Sequence, residues 1–205
     1  GLPYQTVDTF TSTLDQLIAL PIKHMSVYPL TIEPGTKFSR MLDRGELHIM
    51  SEDGQADLME ASEKILLSNG FSRYEVASYA KPGFESKHNI SYWTGEPYIG
   101  IGLSAVTMTQ NQERRMRVQD GQVTDDLDAS QMAAEDAMLG MRMSKGLDDA
   151  FVNSRASLIP LLPKTLEELM EKGLVKHVDG RFMPTHEGWL FGNELYGALL
   201  ETAPF

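Results

Sequence analysis

The sequence predicts an α/β fold in its first part and an α+β module in its last part. Apolar side chains recur at helical spacing over residues 8 to 20, and residues 24 to 30 form a strand-like run, so the order is strand end, helix, strand. That order is typical of a βαβ unit in a parallel sheet. From about residue 130 the order becomes helix, helix, hairpin, helix, which is typical of a winged-helix-like module.

The first predicted helix begins at Asp8, a suitable N-cap, and ends before Pro21. Residues 33 to 50 have little periodicity and are predicted to form a loop. Ser51 can cap a second helix that runs to about residue 69, where Gly70 supplies the left-handed residue that ends many helices. A strand over residues 72 to 79 should follow.

A turn signal at Lys81-Pro82-Gly83 places a domain boundary, which divides the chain into residues 1–84 and residues 85–205. Further on, the Gly-rich apolar run Ile99 to Met108 predicts a buried strand. Its glycines allow a ligand or another backbone to approach closely, or they serve tight packing alone.

The last part of the chain carries several start and stop signals. Ser130 is expected to open a helix, Thr165 to begin a capping box, and Gly173 to close the short helix that follows. A hairpin should turn at Asp179-Gly180, and Thr185 should start the final helix.

Composition excludes several classes of function. The chain has 205 residues, a formal net charge of −11 and no cysteine. The acidic excess repels phosphate backbones and anionic lipid, so no nucleic-acid partner is expected. No apolar run approaches the roughly 20 residues that span a bilayer. The absence of Cys excludes disulfides and thiolate metal sites, and it fits a reducing cytoplasm.

One basic cluster, Arg114-Arg115-Met116-Arg117, stands close to Asp125-Asp126. With the Asp120-Gly121 turn signal between them, these residues predict a solvated hairpin with paired charges.

The segment His88-Asn89-Ile90-Ser91-Tyr92-Trp93 carries the strongest functional signal. Imidazole is an axial ligand for haem iron, and aromatic side chains can cover a porphyrin face. The alternative is an ordinary strand or turn with one hydrogen-bonded histidine. If the segment is extended, His88 and Tyr92 share one face while Asn89 and Trp93 share the other.

The His-Asn-x-x-Tyr-Trp pattern resembles the haem-associated motif of the HemW-type haem chaperones, relatives of the oxygen-independent coproporphyrinogen III oxidases among the radical S-adenosylmethionine enzymes. Three other segments are similar to these families in the same order: Gly1-Leu2-Pro3-Tyr4-Gln5-Thr6, Ser26 to Thr36, and Tyr74-Glu75-Val76-Ala77-Ser78-Tyr79-Ala80.

The resemblance implies the C-terminal part of a partial (β/α) TIM-like barrel, followed by the winged-helix-like domain. It implies haem binding by His88, Asn89, Tyr92 and Trp93, haem or a porphyrinogen as ligand, and a haem-acceptor protein as partner. In the full-length parent it implies a 4Fe-4S cluster and S-adenosylmethionine as cofactors. This chain itself would bind haem only, with no metal site of its own.

The resemblance also assigns Thr31 and Val106 to the S-adenosylmethionine side, where they would act by shape and backbone contact. Ordinary strand packing is the alternative role for both. In a parallel barrel, Gln5 and Thr31 would lie at the C-terminal ends of strands, where active sites are found.

One departure concerns the residues after the Gly-rich run. HemW-type proteins tend to have Gly-Ala-His-Ser there, whereas this chain has Leu103-Ser104-Ala105-Val106. That pattern favours the oxidases, which decarboxylate two propionates by radical chemistry, whereas the His-Asn-x-x-Tyr-Trp motif favours the chaperones. A third hypothesis is a binding module in which the winged-helix-like tail contacts a partner protein or nucleic acid, although the negative charge argues against nucleic acid.

A radical S-adenosylmethionine enzyme holds its cluster with three Cys thiolates, which this chain lacks. We therefore expect a C-terminal fragment of a longer protein that is inactive alone. A barrel without its first strands exposes an open sheet edge, so we also expect the fragment to dimerise or to rearrange.

Overall fold

The computed structural model describes residues 1–203, and the last two residues of the predicted 85–205 domain lie outside that range. The chain forms two compact units, Gly1–Glu85 and a second unit that begins at Ser86. Each is described separately below. Among the described residues, no helix combines the length and the apolar character needed to cross a membrane.

The first unit contains three helices and three short strands among its residues. They are α1 (Val7–Ile18), β1 (His24–Ser26), α2 (Lys37–Asp43), α3 (Glu52–Ser68), β2 (Ser72–Arg73) and β3 (Ser78–Ala80). The N-cap of α1 is Thr6, whose hydroxyl accepts a hydrogen bond from the Thr9 amide, and not Asp8 as predicted. The helix from Ser51 is confirmed, and Gly70 is left-handed at its end with a φ of 77°.

Helix α2 lies where the sequence predicts a loop. Thr36 caps it, because its Oγ1 accepts from the Ser39 amide at 3.2 Å. The helix has only seven residues and no buried side chain. Phe38, Met41 and Leu42 fall on one face of this helix, but seven residues make fewer than two turns, which is too short for the period to be recognised in the sequence.

The sheet of the first unit has the order β1-β3-β2, and both pairings are antiparallel, with Met25 opposite Tyr79. The parallel pair expected from the strand–helix–strand order is not among the strand pairs of residues 1–203. The predicted 72–79 strand is broken by a turn in which the Tyr74 amide donates to the Ser78 carbonyl at 3.1 Å, so β3 returns along β2. The core includes Leu14 of α1, Met25 of β1, Leu66 of α3 and Tyr79 of β3, together with Val27 directly after β1 and Phe71 directly before β2.

The second unit begins with a helix and an antiparallel meander. These elements are α4 (Lys87–Trp93), β4 (Val106–Gln110), β5 (Arg114–Gln119) and β6 (Gln122–Asp128), with sheet order β4-β5-β6. The predicted hairpin at Asp120-Gly121 is confirmed, because both residues have the positive φ, 49° and 77°, that the tightest hairpin turns require.

The remaining elements form the predicted winged-helix-like domain. They are α5 (Ala129–Gly140), β7 (Leu147–Asp148), α6 (Asp149–Arg155), α7 (Leu162–Glu171), β8 (Val175–Val178), β9 (Arg181–Pro184), α8 (His186–Leu190) and α9 (Gly192–Leu200). The sheet order β7-β9-β8 brings the wing hairpin against the short strand β7. Strand β7 and helix α6 are too short to show a period and were not predicted.

Several boundaries differ from the prediction in this domain. Asp128 caps α5, so Ser130 lies inside the helix, and Thr165 lies inside α7 rather than at its start. The hairpin at Asp179-Gly180 is confirmed. Thr185 caps a helix as predicted, but this is the five-residue α8 and not the final helix, because the non-helical backbone of Phe191 separates α8 from α9. Helices α5, α6, α7 and α9 enclose a core that includes Ala134, Ala137, Met141, Val152, Ile159, Leu162, Leu166, Leu195 and Leu199.

The prediction of a buried strand over residues 99–108 is wrong for its first half. Ile99, Ile101 and Leu103 are 81%, 92% and 94% exposed, and the strand begins only at Val106. The Gly100 amide donates to Thr107 Oγ1 at 3.0 Å, and a Cβ on Gly100 would lie 2.4 Å from the Val106 carbonyl oxygen. The glycine therefore serves the close backbone approach that was predicted, but it does so by folding the chain into a loop.

Candidate functional site

The His-Asn-x-x-Tyr-Trp segment forms the helix α4 and not a strand. Ser86 caps it by accepting a hydrogen bond from the Asn89 amide at 3.2 Å. At the other end, the Gly95 amide donates to the Tyr92 carbonyl at 3.1 Å and the Glu96 amide to the Ser91 carbonyl at 2.9 Å. This pattern is the Schellman motif, and Gly95 has the left-handed φ of 70° that it requires.

Helical geometry brings two of the predicted ligands together. His88 and Tyr92 are four residues apart, and their rings meet edge to face with centroids 4.9 Å apart. The Tyr92 ring also packs on Tyr98, again at 4.9 Å. We call His88, Tyr92 and Tyr98 the aromatic row. His88 is exposed, and Tyr92 is 40% exposed, so this side of the helix is open to a ligand.

Tyr98 was not singled out from the sequence. It is the third member of the row because its backbone pairs with Met108 on β4, with N···O distances of 3.1 and 2.9 Å. Its hydroxyl accepts a hydrogen bond from Arg117. The sequence feature that could have identified Tyr98 is its position as the aromatic residue directly before the Gly-rich run.

Asn89 and Trp93 lie on a different, partly buried side of α4. Asn89 Oδ1 accepts from the Ser86 hydroxyl at 3.2 Å, so it helps to form the helix start. The Trp93 ring packs under Arg142, whose guanidinium carbon lies 5.3 Å from the ring centroid. An α-helix turns about 100° per residue, so neighbours do not face opposite directions as they would in a strand. Even so, His88 and Tyr92 lie on one side of α4 and Asn89 and Trp93 on another, so the four motif residues do not face a single ligand position.

A buried group of charges holds the end of α4 in place. Arg115 is 1% exposed and donates to Glu135 at 2.5 Å and to Asp136 at 2.7 Å. Its Nε donates to Gln110, and Gln110 in turn donates to the Gly95 carbonyl at 2.8 Å. A Cβ on Gly95 would lie 2.8 Å from the Arg115 guanidinium, so only glycine fits there. The prediction that Arg115 belongs to a solvated hairpin is therefore wrong.

The exposed loop Ile99 to Leu103 follows Tyr98 directly in the chain; we call it the glycine loop. Its three large apolar side chains are almost fully exposed. Exposed apolar side chains grouped in this way mark a surface that binds an apolar ligand or another protein. The aromatic row and the glycine loop together offer an imidazole, two phenols and three aliphatic side chains.

Comparison with known proteins agrees with these features. Residues 127–191 match the family model described as the HemN C-terminal domain. The chain is 32% identical to the haem chaperone HemW of Bacillus subtilis and 31% identical to that of Lactococcus lactis, in each case over 98% of its own length. This chain is HemW-like.

The HemW-like chain spans 57% and 56% of the length of those two relatives. Its fold is also that of a solved structure, the coproporphyrinogen III oxidase HemN from Escherichia coli, described as a radical SAM enzyme. The TM-score is 0.67 at 18% identity, over 98% of this chain and 52% of the other. The predicted fold class is confirmed by this likeness.

The two residues assigned to the S-adenosylmethionine side lie in different units of the HemW-like chain. Thr31 is exposed in the connection between β1 and α2. Val106 is partly buried and opens β4 opposite Gln119. Gln5 accepts a hydrogen bond from the Leu2 amide at 3.2 Å and lies before α1 rather than at the end of a strand.

The residues of the HemW-like chain do not fit an iron–sulfur cluster. Such clusters are bound by Cys thiolates, and this chain has none. Within residues 1–203, no three His, Asp or Glu side chains are grouped as a metal site would require.

Proposed function

We propose that this chain binds haem on the aromatic row and serves a HemW-like haem chaperone that passes haem to an acceptor protein. The observation that carries the proposal is the exposed His88 imidazole beside the Tyr92 ring at 4.9 Å, with the apolar glycine loop next in the chain. A neutral imidazole binds haem iron through one nitrogen, and apolar side chains cover the macrocycle. The curated relatives named haem chaperone support this function.

Within this proposal the four motif residues have different tasks. His88 is the axial ligand and Tyr92 covers the porphyrin edge. Asn89 and Trp93 act by holding α4, because both lie on its partly buried side. Radical chemistry with a cluster and S-adenosylmethionine requires cluster-binding thiolates, which this chain lacks. Thr31 and Val106 would act on the S-adenosylmethionine side by shape and backbone contact only. The cytoplasm is the compartment that this function implies.

Titration with haemin tests the proposal through the Soret absorption band. We expect saturable binding with the spectrum of an imidazole-ligated haem. His88→Ala should weaken it by about tenfold or more, since an axial bond is lost. The matched control is His48→Ala, because His48 is also exposed but belongs to the first unit. Equal titration curves and spectra for the His88→Ala variant and the unchanged chain would overturn the assignment.

A transfer assay extends the test to the chaperone function. The haem-loaded chain is mixed with apo-myoglobin as a generic acceptor, and the change in the Soret band is followed with time. Transfer should be faster than from serum albumin loaded in the same way. A chain that binds haem but never releases it would be a storage protein rather than a chaperone.

The alternative function is part of an oxygen-independent coproporphyrinogen III oxidase. The residues Leu103-Ser104-Ala105 after the Gly-rich run favour it. It predicts that a cluster-bearing protein containing this chain decarboxylates coproporphyrinogen III. Haem binding without any such product supports the chaperone.

A further inference from the structure

A cleft lies in the second unit, between the end of α4 and the winged-helix-like domain. It has a volume of about 270 Å³, and its walls include Trp93, Met143, Lys145, Phe151, Arg155 and Arg181. Ligand pockets for drug-sized molecules start at roughly 300 Å³, so this cleft suits a small molecule and not a porphyrin. The cleft lies at the opposite end of α4 from His88. Its ligand is therefore independent of haem binding.

Two hydrogen-bond donors in the walls of this cleft lack an acceptor within the described part of the chain. They are the Trp93 indole Nε1 and the Arg155 Nε, and both atoms are buried. Native proteins rarely leave buried N–H groups unpaired, because each has lost its hydration without compensation. Two such donors in one cleft indicate that the natural acceptor is a bound molecule or ordered water.

The cationic groups of the cleft exceed the carboxylates that line it. Lys145, Arg155 and Arg181 carry three positive charges, and Asp136 and Asp148 carry two negative charges. Asp136 is already engaged by Arg115 at 2.7 Å, and its ion pair with Arg155 is long, 3.5 Å. The cleft therefore has a positive excess, although the whole chain has a net charge of −11.

Asp148 is also committed to other groups. It accepts a hydrogen bond from the Phe151 amide at 2.7 Å as the cap of α6, and Arg181 lies 3.3 Å from its second oxygen. Arg155 consequently has the most weakly paired guanidinium in the cleft, and its side chain is 39% exposed. A guanidinium presents a planar fork of donors that matches a carboxylate.

The apolar walls restrict the ligand further. The Trp93 and Phe151 rings and Met143 line the same space as Arg155. The Phe151 ring centroid lies 5.6 Å from the Arg155 guanidinium carbon. A ligand with two acceptor oxygens would pair with both unpaired donors, and a small flat or aliphatic body would pack against these apolar walls.

We propose that this cleft binds a small organic carboxylate, which accepts hydrogen bonds from Arg155 and the Trp93 indole. Arg155 is the principal anchor, and Lys145 adds a further positive charge at the exposed edge.

The test is titration of the purified chain with benzoate and with propionate, followed by ¹H–¹⁵N NMR. The chain has two Trp residues, so it gives two indole signals, and the Trp93→Phe and Trp189→Phe variants assign them. We expect a saturable shift of the Trp93 indole signal with either carboxylate, and a weaker response to inorganic phosphate. The Trp189 signal should not move.

Variants then identify the anchor. Arg155→Gln should weaken binding by about tenfold or more through loss of a charge-assisted hydrogen bond. Lys164→Gln is the matched control, because Lys164 is an exposed cation outside the cleft, paired with Glu168. The amide spectra show whether each variant is folded, and Trp93→Phe provides a second measure because it removes the donor and keeps an aromatic ring. The absence of a saturable shift, or equal weakening by Lys164→Gln, would overturn the proposal.

Discussion

The Arg115 guanidinium and the Asp136 carboxylate are joined at 2.7 Å in the interior of the second unit. Arg115 belongs to β5 and Asp136 to α5, so this ion pair fixes the meander against the first helix of the winged-helix-like domain. Glu135 extends it, with Arg115 at 2.5 Å and Arg117 at 2.8 Å. The Arg115 guanidinium also fills the space beside Gly95, so this buried group of charges holds the end of α4 in place.

Removing Arg115 should therefore destabilise the second unit severely. Arg115→Met leaves two carboxylates without their buried partner, and breaking a buried pair costs about 3–5 kcal/mol. The preceding residue offers a matched control: Arg114→Met removes an exposed pair with Asp126 and should change the stability little. Urea denaturation of both variants measures the difference. Similar midpoints would show that the buried pair contributes no more than a surface pair.

Gly146 should tolerate no side chain. It has a φ of 55°, and a Cβ there would lie 1.8 Å from the Phe182 carbonyl oxygen on β9. Gly146→Ala is expected to cost about 3 kcal/mol, from backbone strain together with displacement of the wing strand.

The control for this prediction is Gly173→Ala. Gly173 has a φ of 75° but no atom near its Cβ position, so only the strain of about 1 kcal/mol remains. Thermal and urea denaturation compare the two variants. Equal losses would mean that β9 moves aside without cost.

The cap of α6 should make stability depend on pH. The Phe151 amide, followed by Arg181, lowers the pKa of Asp148 below its usual range. A lowered pKa in the folded state stabilises the fold fully above the unfolded value of about 3.9, and this contribution is lost as the pH falls through the folded value.

Asp148→Asn isolates this effect, because asparagine also caps helices but does not titrate. The unchanged chain should be more stable than the variant at pH 7, and the gap should close below about pH 4. Denaturation curves at several pH values measure the gap. A gap of constant size would show that the carboxylate charge of Asp148 does not cause the difference in stability.

The glycine loop should contribute to association and not to folding. Ile101 and Leu103 are more than nine-tenths exposed, so Ile101→Ser with Leu103→Ser should change the free energy of unfolding by less than about 0.5 kcal/mol. Met108→Ser on the adjoining strand should cost about 2–5 kcal/mol, because Met108 is 2% exposed.

Sedimentation velocity tests the other half of this prediction. The sequence led us to expect that the chain dimerises or rearranges, and exposed apolar side chains favour self-association. The Ile101→Ser and Leu103→Ser variant should shift the population toward monomer at a given concentration. A chain that stays monomeric at every concentration contradicts the dimer outright.

Local signals in the sequence determined much of this protein. The helix from Ser51 to Gly70, the Asp120-Gly121 and Asp179-Gly180 hairpins and the Thr185 cap all follow from side chains that act on their own backbone. The His-Asn-x-x-Tyr-Trp motif likewise identified the relatives of the chain, because it depends on residue identity and not on conformation.

Tertiary contacts decided the rest. The apolar run from Ile99 reads as a buried strand, yet Thr107 and the Gly100 backbone fold its first half into an exposed loop. Arg115 lies among charged neighbours in sequence, but Glu135 and Asp136, twenty residues onward, compensate its burial. Tyr98 completes the aromatic row only through its pairing with Met108. In each case the deciding partner is distant in the chain, so no local periodicity records it.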